Sequence, residues 1–326
     1  MGCHGFHPIF KPYDVGEWPV ETELNTQTTD FKKKKKMISS DVLIPKILAL
    51  FAFISIFTTV GIVAILIFES VNFFRAVPFL DFITGTKWTP LFEPAQFGVL
   101  PLIAGTLMIT VIASIVAIPI GLGSAIYLSE YAPARVRNIV KPILEILAGI
   151  PTIVYGFFAL TFVTPVLRFI IPQTEIFNAL SAGIVVGIMI IPIISSMSED
   201  AMVAVPNSLR NGAYALGATR FEVAVKIVVP AALSGIVASF VLGLSRAVGE
   251  TMIVTLAAGS LPNLEFNPLK SIQTLTAYIV SVSSGDTRYG SVEYLTIYAV
   301  GITLFVMTLL MNILAGYISR KFREEY

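Results

Sequence analysis

The chain has 326 residues, of which 55% are hydrophobic and only 13% charged, with a mean hydropathy of +0.82 and a formal net charge of +1. Soluble domains carry roughly 25% charged residues, so so few charges cannot clothe a water-exposed globule; they suit a surface solvated by lipid. The net charge gives no electrostatic case for nucleic acid, and the single cysteine, Cys3, rules out a disulfide framework or a cysteine-rich metal centre.

Residues 1–36 form a polar stretch rich in Thr, Glu and Pro that ends in Lys32–Lys36. It has no apolar period, and a disordered basic tail is expected over residues 1–40. Cys3, His4 and His7 lie in it, but no fourth ligand follows at usable spacing, so they read as incidental. Phe6 stands where N-myristoylation requires Ser or Thr. Met37 is followed by a stretch that reads as complete, so translation starting there is an expectation. The lysines and the next apolar run resemble a signal peptide only loosely. That run is too long and lacks a small-residue cleavage site, which predicts an uncleaved anchor.

From residue 41 to 326 the chain reads as one transmembrane domain. Spanning the hydrocarbon core takes about 20 apolar residues, and six runs meet that length: Ile47–Phe68, Val99–Leu128, Ile146–Leu167, Ile176–Ser198, Ile227–Ala258 and Tyr294–Ser319. The first, at ~1.5 Å per residue, spans about 33 Å. Backbone polar groups in lipid must pair within their own segment, which predicts an all-α integral membrane fold of six helices. Pro119, Pro151, Pro165 and Pro192 are tolerated where neighbouring helices satisfy the freed carbonyls. Trp88 falls in the first outer loop, where an interfacial aromatic is expected. Lys32–Lys36, Lys46, Arg135, Arg137, Lys141, Arg210, Arg220, Lys226, Arg320, Lys321 and Arg323 fall on one side of the membrane. Only Arg75, Lys87, Arg168, Lys270 and Arg288 fall on the other. That asymmetry predicts cytoplasmic termini.

Three segments carry more than span length. In the third run, Gly149-Ile150-Pro151-Thr152, with Tyr155 close behind, must loosen the helix at membrane depth. A pathway role and a packing kink explain it equally well. Glu145 follows Lys141 by one helical turn, which predicts an ion pair near the membrane boundary. Between the fourth and fifth runs, a loop over residues 200–226 holds Asn211-Gly212-Ala213-Tyr214-Ala215-Leu216-Gly217-Ala218-Thr219-Arg220 and runs on to Ile227 and Pro230. It reads as a short helix, a corner at Gly217 and a second helix, kept wet by Arg210, Arg220, Glu222 and Lys226. The fifth run alone holds full charges in its interior. Arg246 and Glu250 sit four apart, on one face of the predicted helix, with Thr251 next in sequence. Each costs roughly 2.5–3.5 kcal/mol at the bilayer centre on insertion scales, and such residues mark transport paths more often than inert pairs.

Several chemistries are missing. No Gly-Lys pair exists, so the chain has no phosphate-cradling P-loop. No nucleophile elbow appears, and both histidines lie in the tail. A transport subunit, not an enzyme, is expected, with no cofactor of its own.

The loop resembles the E-A-A-x₃-G-x₉-I-x-L-P segment of bacterial ABC importer permeases. Ala213, Gly217, Ile227 and Pro230 match, Val229 replaces Leu, and Asn211 and Gly212 depart from Glu and Ala. Phe97-Gly98-Val99-Leu100-Pro101, Glu145 to Gly156, and Ser245-Arg246-Ala247-Val248-Gly249-Glu250-Thr251-Met252 resemble the phosphate branch of that superfamily, PstC-type rather than PstA-type. The resemblance covers about residues 40–320. It implies a type I (MetI-like) importer permease in the prokaryotic plasma membrane. It also implies a PstA-like second permease, a dimeric PstB-like ATPase that binds ATP and Mg, and a PstS-like extracytoplasmic phosphate-binding protein. On the same resemblance, Ala213, Gly217, Ala218, Thr219, Arg220, Ile227 and Pro230 couple to the ATPase. Arg246, Glu250, Thr251, Gly149, Pro151, Thr152 and Tyr155 border the substrate path. A permease for sulfate, molybdate or a phosphonate is the nearest alternative. A stand-alone channel or secondary carrier is a second, and it leaves the coupling loop unexplained.

Overall fold

A computed structural model describes the backbone from Ser40 to Lys321 and side chains from Leu43 to Ile318; the tail, with Cys3, His4 and His7, lies outside the described residues. The described chain is helical, and its contacts divide it into two units, residues 1–60 and 61–326. Helix α1, Ser40–Ala76, begins in the first unit, where every side chain from Leu43 to Val60 is exposed. Leucine, isoleucine and phenylalanine dominate that stretch, so its solvent is lipid.

The second unit continues α1 and adds α2 (Phe79–Thr84), α3 (Leu100–Tyr131), α4 (Ala134–Gly149), α5 (Thr152–Ile170) and α6 (Ala179–Val203). It goes on through α7 (Asn207–Ala215), α8 (Arg220–Ala231), α9 (Leu233–Val248), α10 (Met252–Ala257), α11 (Leu275–Ser283) and α12 (Val292–Lys321). Helices α1, α3, α5, α6 and α12 are long and apolar enough to cross a membrane, and α8 with α9, bent by 72°, makes a sixth when the pair is counted as one span.

Two expected spans are redrawn. The third does not run from Ile146 to Leu167: residues 146–149 close the amphipathic α4, and the span proper is α5, starting after the break at Ile150-Pro151. Proline has no N–H for the carbonyl four residues back, which is where the helix parts. The fifth span does not run straight from Ile227 to Ala258 either. It bends at Ala232, ends at Val248, and is followed by the separate short helix α10.

Helices α3 and α6 form the centre of the bundle, and small residues let their backbones close up. A β-carbon on Gly183 would come within 2.7 Å of Ile112, one on Gly187 within 2.9 Å of Val116, and one on Gly121 within 2.7 Å of Ile194. Ala113 and Ala117 complete the row on α3, fully buried. Without a hydrophobic drive between helices in lipid, such close contact supplies the packing energy. At one end of the bundle Arg137, Lys141 and Arg210 meet acidic partners; we call this the basic end. At the far end, α1, α2 and α11 enclose an aromatic cluster. Trp88 belongs to it, edge-on to Tyr278 at 4.9 Å and only 1% exposed, so it is a core residue and not the expected interfacial one.

Candidate substrate path and coupling loop

The end of α9 separates Arg246 from Glu250. The helix stops at Val248, with Gly249 as its C-cap, so the two residues do not share one helical face and form no ion pair. Ser245 braces this last turn to α12 by donating to Asn312 Oδ1 at 2.8 Å. Arg246 is exposed and, among the described residues, has neither an ion pair nor a hydrogen bond.

Glu250 is 7% exposed and is held by backbone alone. Its Oε1 accepts from the N–H groups of Met252 (3.1 Å) and Ile253 (3.2 Å), two donors that the start of α10 leaves without helical partners. Its own carbonyl accepts from Thr276 Oγ1 at 2.7 Å, tying the break to α11. Thr251 donates to the Gly249 carbonyl at 3.2 Å.

The break before α5 is stapled by a side chain. Pro151 cannot offer an N–H to the Leu147 carbonyl, and Tyr155 Oη donates to that carbonyl at 2.8 Å. Tyr155 is buried, Thr152 half-buried, Gly149 and Pro151 exposed. A β-carbon on Gly156 would stand 2.8 Å from Leu256 and 3.3 Å from the Ile253 backbone, so α5 lies directly on α10. The helices that follow the two predicted path segments, far apart in sequence, therefore pack together. Glu145 has no partner among the described residues. Lys141 turns away from it to Glu199 (3.1 Å) and Asp200 (3.0 Å), so the expected pair is not made.

The loop at the basic end matches the helix–corner–helix expectation. Gly217 has φ +84°, a left-handed conformation that costs an L side chain roughly 1–2 kcal/mol. Its N–H bonds the Tyr214 carbonyl (3.0 Å) and the N–H of Ala218 bonds that of Ala213 (3.1 Å), the paired bonds of a Schellman cap. Ala213 and Ala218 both pack against the apolar cluster around Met202 and Val223, which explains small residues at those places. Thr219 then starts α8 with a reciprocal capping box: its hydroxyl accepts from the Glu222 N–H, and Glu222 Oε2 accepts from the Thr219 N–H at 3.0 Å. Those bonds, with Lys226, hold the Glu222 carboxyl down at about 2. Leu216 (90% exposed), Phe221 (68%) and Tyr214 (42%) project from the turn. Arg220 is exposed, Ile227 half-buried within a π-helical turn, and Pro230 sits two residues before the bend at Ala232.

Sequence reasoning missed the buried charges of the basic end. Arg210, expected to be wet, is pinned: its guanidinium meets Glu130 at 3.0 Å, the Met202 carbonyl at 2.7 Å and the Val205 carbonyl at 2.5 Å. Glu199 is fully buried between Arg137 (2.5 Å) and Lys141 (3.1 Å). Donation from Lys141 to Asp200, then its contact with Glu199, raises the Lys141 ammonium above its ordinary value against the pull of burial. The available signal was an acidic pair, Glu199-Asp200, closing an uncharged run opposite the Arg137–Lys141 turn. Among the described residues no cluster of three or more His, Cys, Asp or Glu is placed to hold a metal.

A helical bundle of this kind, with a bent fifth span and an exposed glycine turn ahead of it, is the fold of type I ABC importer permeases. A chain of the inward-facing MetNI methionine ABC transporter superimposes with TM-score 0.53 at 20% identity, covering 72% of this chain and 100% of its own. A chain of a bacterial ABC transporter for the acidic polysaccharide alginate does so with TM-score 0.60 at 17% identity, covering 89% and 99%. Those likenesses define the architecture. Residues 117–324 match the model of the binding-protein-dependent transport system inner membrane components, and the chain belongs to that family. A probable ABC transporter permease, YqgH of Bacillus subtilis, is 38% identical over 74% of this chain and 78% of its own length. The phosphate transport permeases PstC of Haemophilus influenzae (35%, covering 75% and 82%) and, as a probable assignment, of Methanocaldococcus jannaschii (32%, covering 78% and 87%) are also similar.

Proposed function

We propose that this chain is the PstC-type permease of an ATP-driven importer and, with a PstA-like permease, encloses the membrane path of inorganic phosphate. The observation that carries this reading is Arg246, an exposed arginine without a partner among the described residues, in an apolar bundle whose sequence relatives include phosphate permeases. An anion leaving water needs compensating charge, and a guanidinium presents a planar fork suited to phosphate oxygens. Binding must also be weak enough for release. The buried Glu250 carboxylate, close by in sequence, lowers the positive potential without quenching it in an ion pair. Thr251 and the Gly149–Tyr155 break border the same route.

The exposed turn around Gly217 is the surface for a dimeric PstB-like ATPase, and Leu216 and Phe221 are its apolar contacts. ATP and Mg belong to that partner, and the chain performs no chemistry of its own. A PstS-like binding protein delivers phosphate at the far end. The basic end and both termini face the cytoplasm, following the placement of Lys and Arg.

Uptake of radiolabelled phosphate by cells or vesicles holding the four-component complex tests the substrate. Phosphate should accumulate and compete out its own label, while sulfate and molybdate should not; the reverse pattern assigns another oxyanion. Orientation is tested with single cysteines at Lys87, Ser208 and Ser284, all exposed, after Cys3 is replaced. An impermeant thiol reagent should label positions 87 and 284 from outside and leave 208 untouched; labelling of 208 overturns the orientation.

A further inference from the structure

We infer that Arg210 is the positioning residue that carries movement of the Gly217 turn into the membrane bundle, by joining α7 to the ends of α3 and α6 as one rigid piece. This rests on the proposed coupling role of the turn. A guanidinium has five N–H donors, and here the contacts account for all five. Nε and Nη2 donate to Glu130 Oε1 at 3.3 and 3.0 Å. The other Nη2 hydrogen goes to the Met202 carbonyl at 2.7 Å, and Nη1 serves the Val205 carbonyl at 2.5 Å and Asn207 Oδ1 at 3.4 Å.

Each acceptor belongs to a place where motion must pass. Glu130 sits in the π-helical last turn of α3, its side chain 6% exposed, with Ser129 Oγ donating to the same Oε1 at 3.0 Å. The Met202 and Val205 carbonyls belong to the last turn of α6 and the bend after it, and the Met202 carbonyl accepts from the Val205 N–H (3.2 Å) as well as from Arg210. Asn207 opens α7, which leads straight into the Gly217 cap. Ala125, Met202 and Val205 belong to one buried apolar cluster against which Leu209 packs, and the Arg210 side chain itself is 13% exposed, which limits competition from water. The other polar groups of the turn differ. Among the described residues Arg220 is exposed without a partner, and Lys226 pairs only with Glu222 four residues away, inside α8. Arg210 is thus the polar tie between the turn and the helices, and a load on the turn cannot move α7 without moving α3 and α6.

The test is the ratio of phosphate imported to ATP hydrolysed in proteoliposomes holding the full four-component complex. The wild-type complex in the same vesicles is the reference. Arg210→Gln should leave the ATPase bound and hydrolysing while phosphate per ATP falls at least about fivefold. Arg210→Lys, which keeps the charge and loses the fork, should restore part of that ratio. Because Arg210→Gln strands a buried carboxylate and lowers complex yield, Glu130→Gln serves as the second variant. It keeps an oxygen acceptor and both carbonyl caps, and should assemble normally with a smaller fall in the ratio. A residue that merely stabilised the fold would lower the amount of complex and leave the ratio per assembled complex unchanged. That outcome in either assembled variant overturns the joint. A wild-type complex that hydrolyses ATP and imports no phosphate instead overturns the functional reading beneath it.

Discussion

The bundle buries carboxylates at two levels and treats them in opposite ways. At the basic end every deeply buried acid meets a cation: Glu199 takes Arg137 and Lys141, and Glu130 takes Arg210. At the end of α9, Glu250 is also buried but, among the described residues, its side chain takes only the two backbone N–H groups that begin α10, and Arg246 is unpaired. Desolvating a charge costs several kcal/mol unless it is compensated, and both solutions compensate. The first spends the cations of the region on locking helices together. The second anchors the acid without engaging the arginine, which is left exposed. One arrangement suits a part that must move as a unit, the other a part that must bind and let go.

Four perturbations bear on that contrast, the largest first. Arg246→Gln should reduce phosphate uptake by about a hundredfold or more, since a fully desolvated anion loses its countercharge, worth roughly 3 kcal/mol. Pull-down of the ATPase should be unchanged, because no contact in the chain is lost. Arg246→Lys should recover part of the rate. Uptake at the parental rate in Arg246→Gln would remove the functional side of the contrast.

Next is the turn. Gly217→Asp combines the left-handed strain with a charge driven into a protein contact. Insertion should be normal, with uptake and ATPase association falling together. Gly217→Asn, which tolerates the same backbone, should lose far less. Equal behaviour of the two variants in a pull-down would place the contact elsewhere.

Thermal unfolding of the purified complex separates the two acids. Glu199→Ala should cost about 2 kcal/mol, below the usual 3–5 for a broken buried pair, because Arg137 and Lys141 can turn to water. Glu250→Ala should cost about 1 kcal/mol, the worth of a helix cap, and Glu250→Gln almost nothing, since its oxygen still accepts both N–H groups. A large loss in Glu250→Gln would mean that the charge and not the cap secures α10.

The smallest effect is in pH. Glu222, with its folded pKa depressed to about 2, supports the start of α8 at any pH above the ordinary carboxylate range. That support is lost as pH falls through about 2. Lys141, with its folded pKa raised above 10.5, ties α4 to α6 through neutral pH and lets go only in strong alkali. Amide hydrogen exchange near Thr219 and Lys141 should therefore stay flat between about pH 5 and 9 once intrinsic rates are removed. A step inside that window would contradict both pairings.

Much of this architecture was legible before any coordinates. Six apolar runs, a glycine corner at Gly217 and two charges in the fifth run could all be read from local composition and spacing. The errors share a cause. Reading Ile146–Leu167 and Ile227–Ala258 as continuous spans took hydropathy for geometry, and hydropathy does not register where a proline or a C-cap parts a helix. The supposed Lys141–Glu145 and Arg246–Glu250 pairs came from four-residue spacing, which brings side chains together only while one helix continues and no stronger partner competes. Lys141 found Glu199 and Asp200 on another helix; Arg246 and Glu250 were parted by the end of α9.

The sequence by itself determined that the chain lives in lipid, because 20-residue stretches without charge have no other stable solvent. It also determined the Gly217 corner, because a left-handed residue between capped helices is a local property of the backbone. Only the tertiary structure decided which charges are spent and which are free. Arg210, Glu130, Glu199 and Arg137 look like ordinary loop and helix-end charges in sequence, and their pairing depends on helices brought together by the glycine and alanine contacts of α3 and α6. Arg210 and Arg246 do not differ in residue type; Arg210 has all five donors engaged, Arg246 has none engaged among the described residues, and that distinction exists only once the chain is folded.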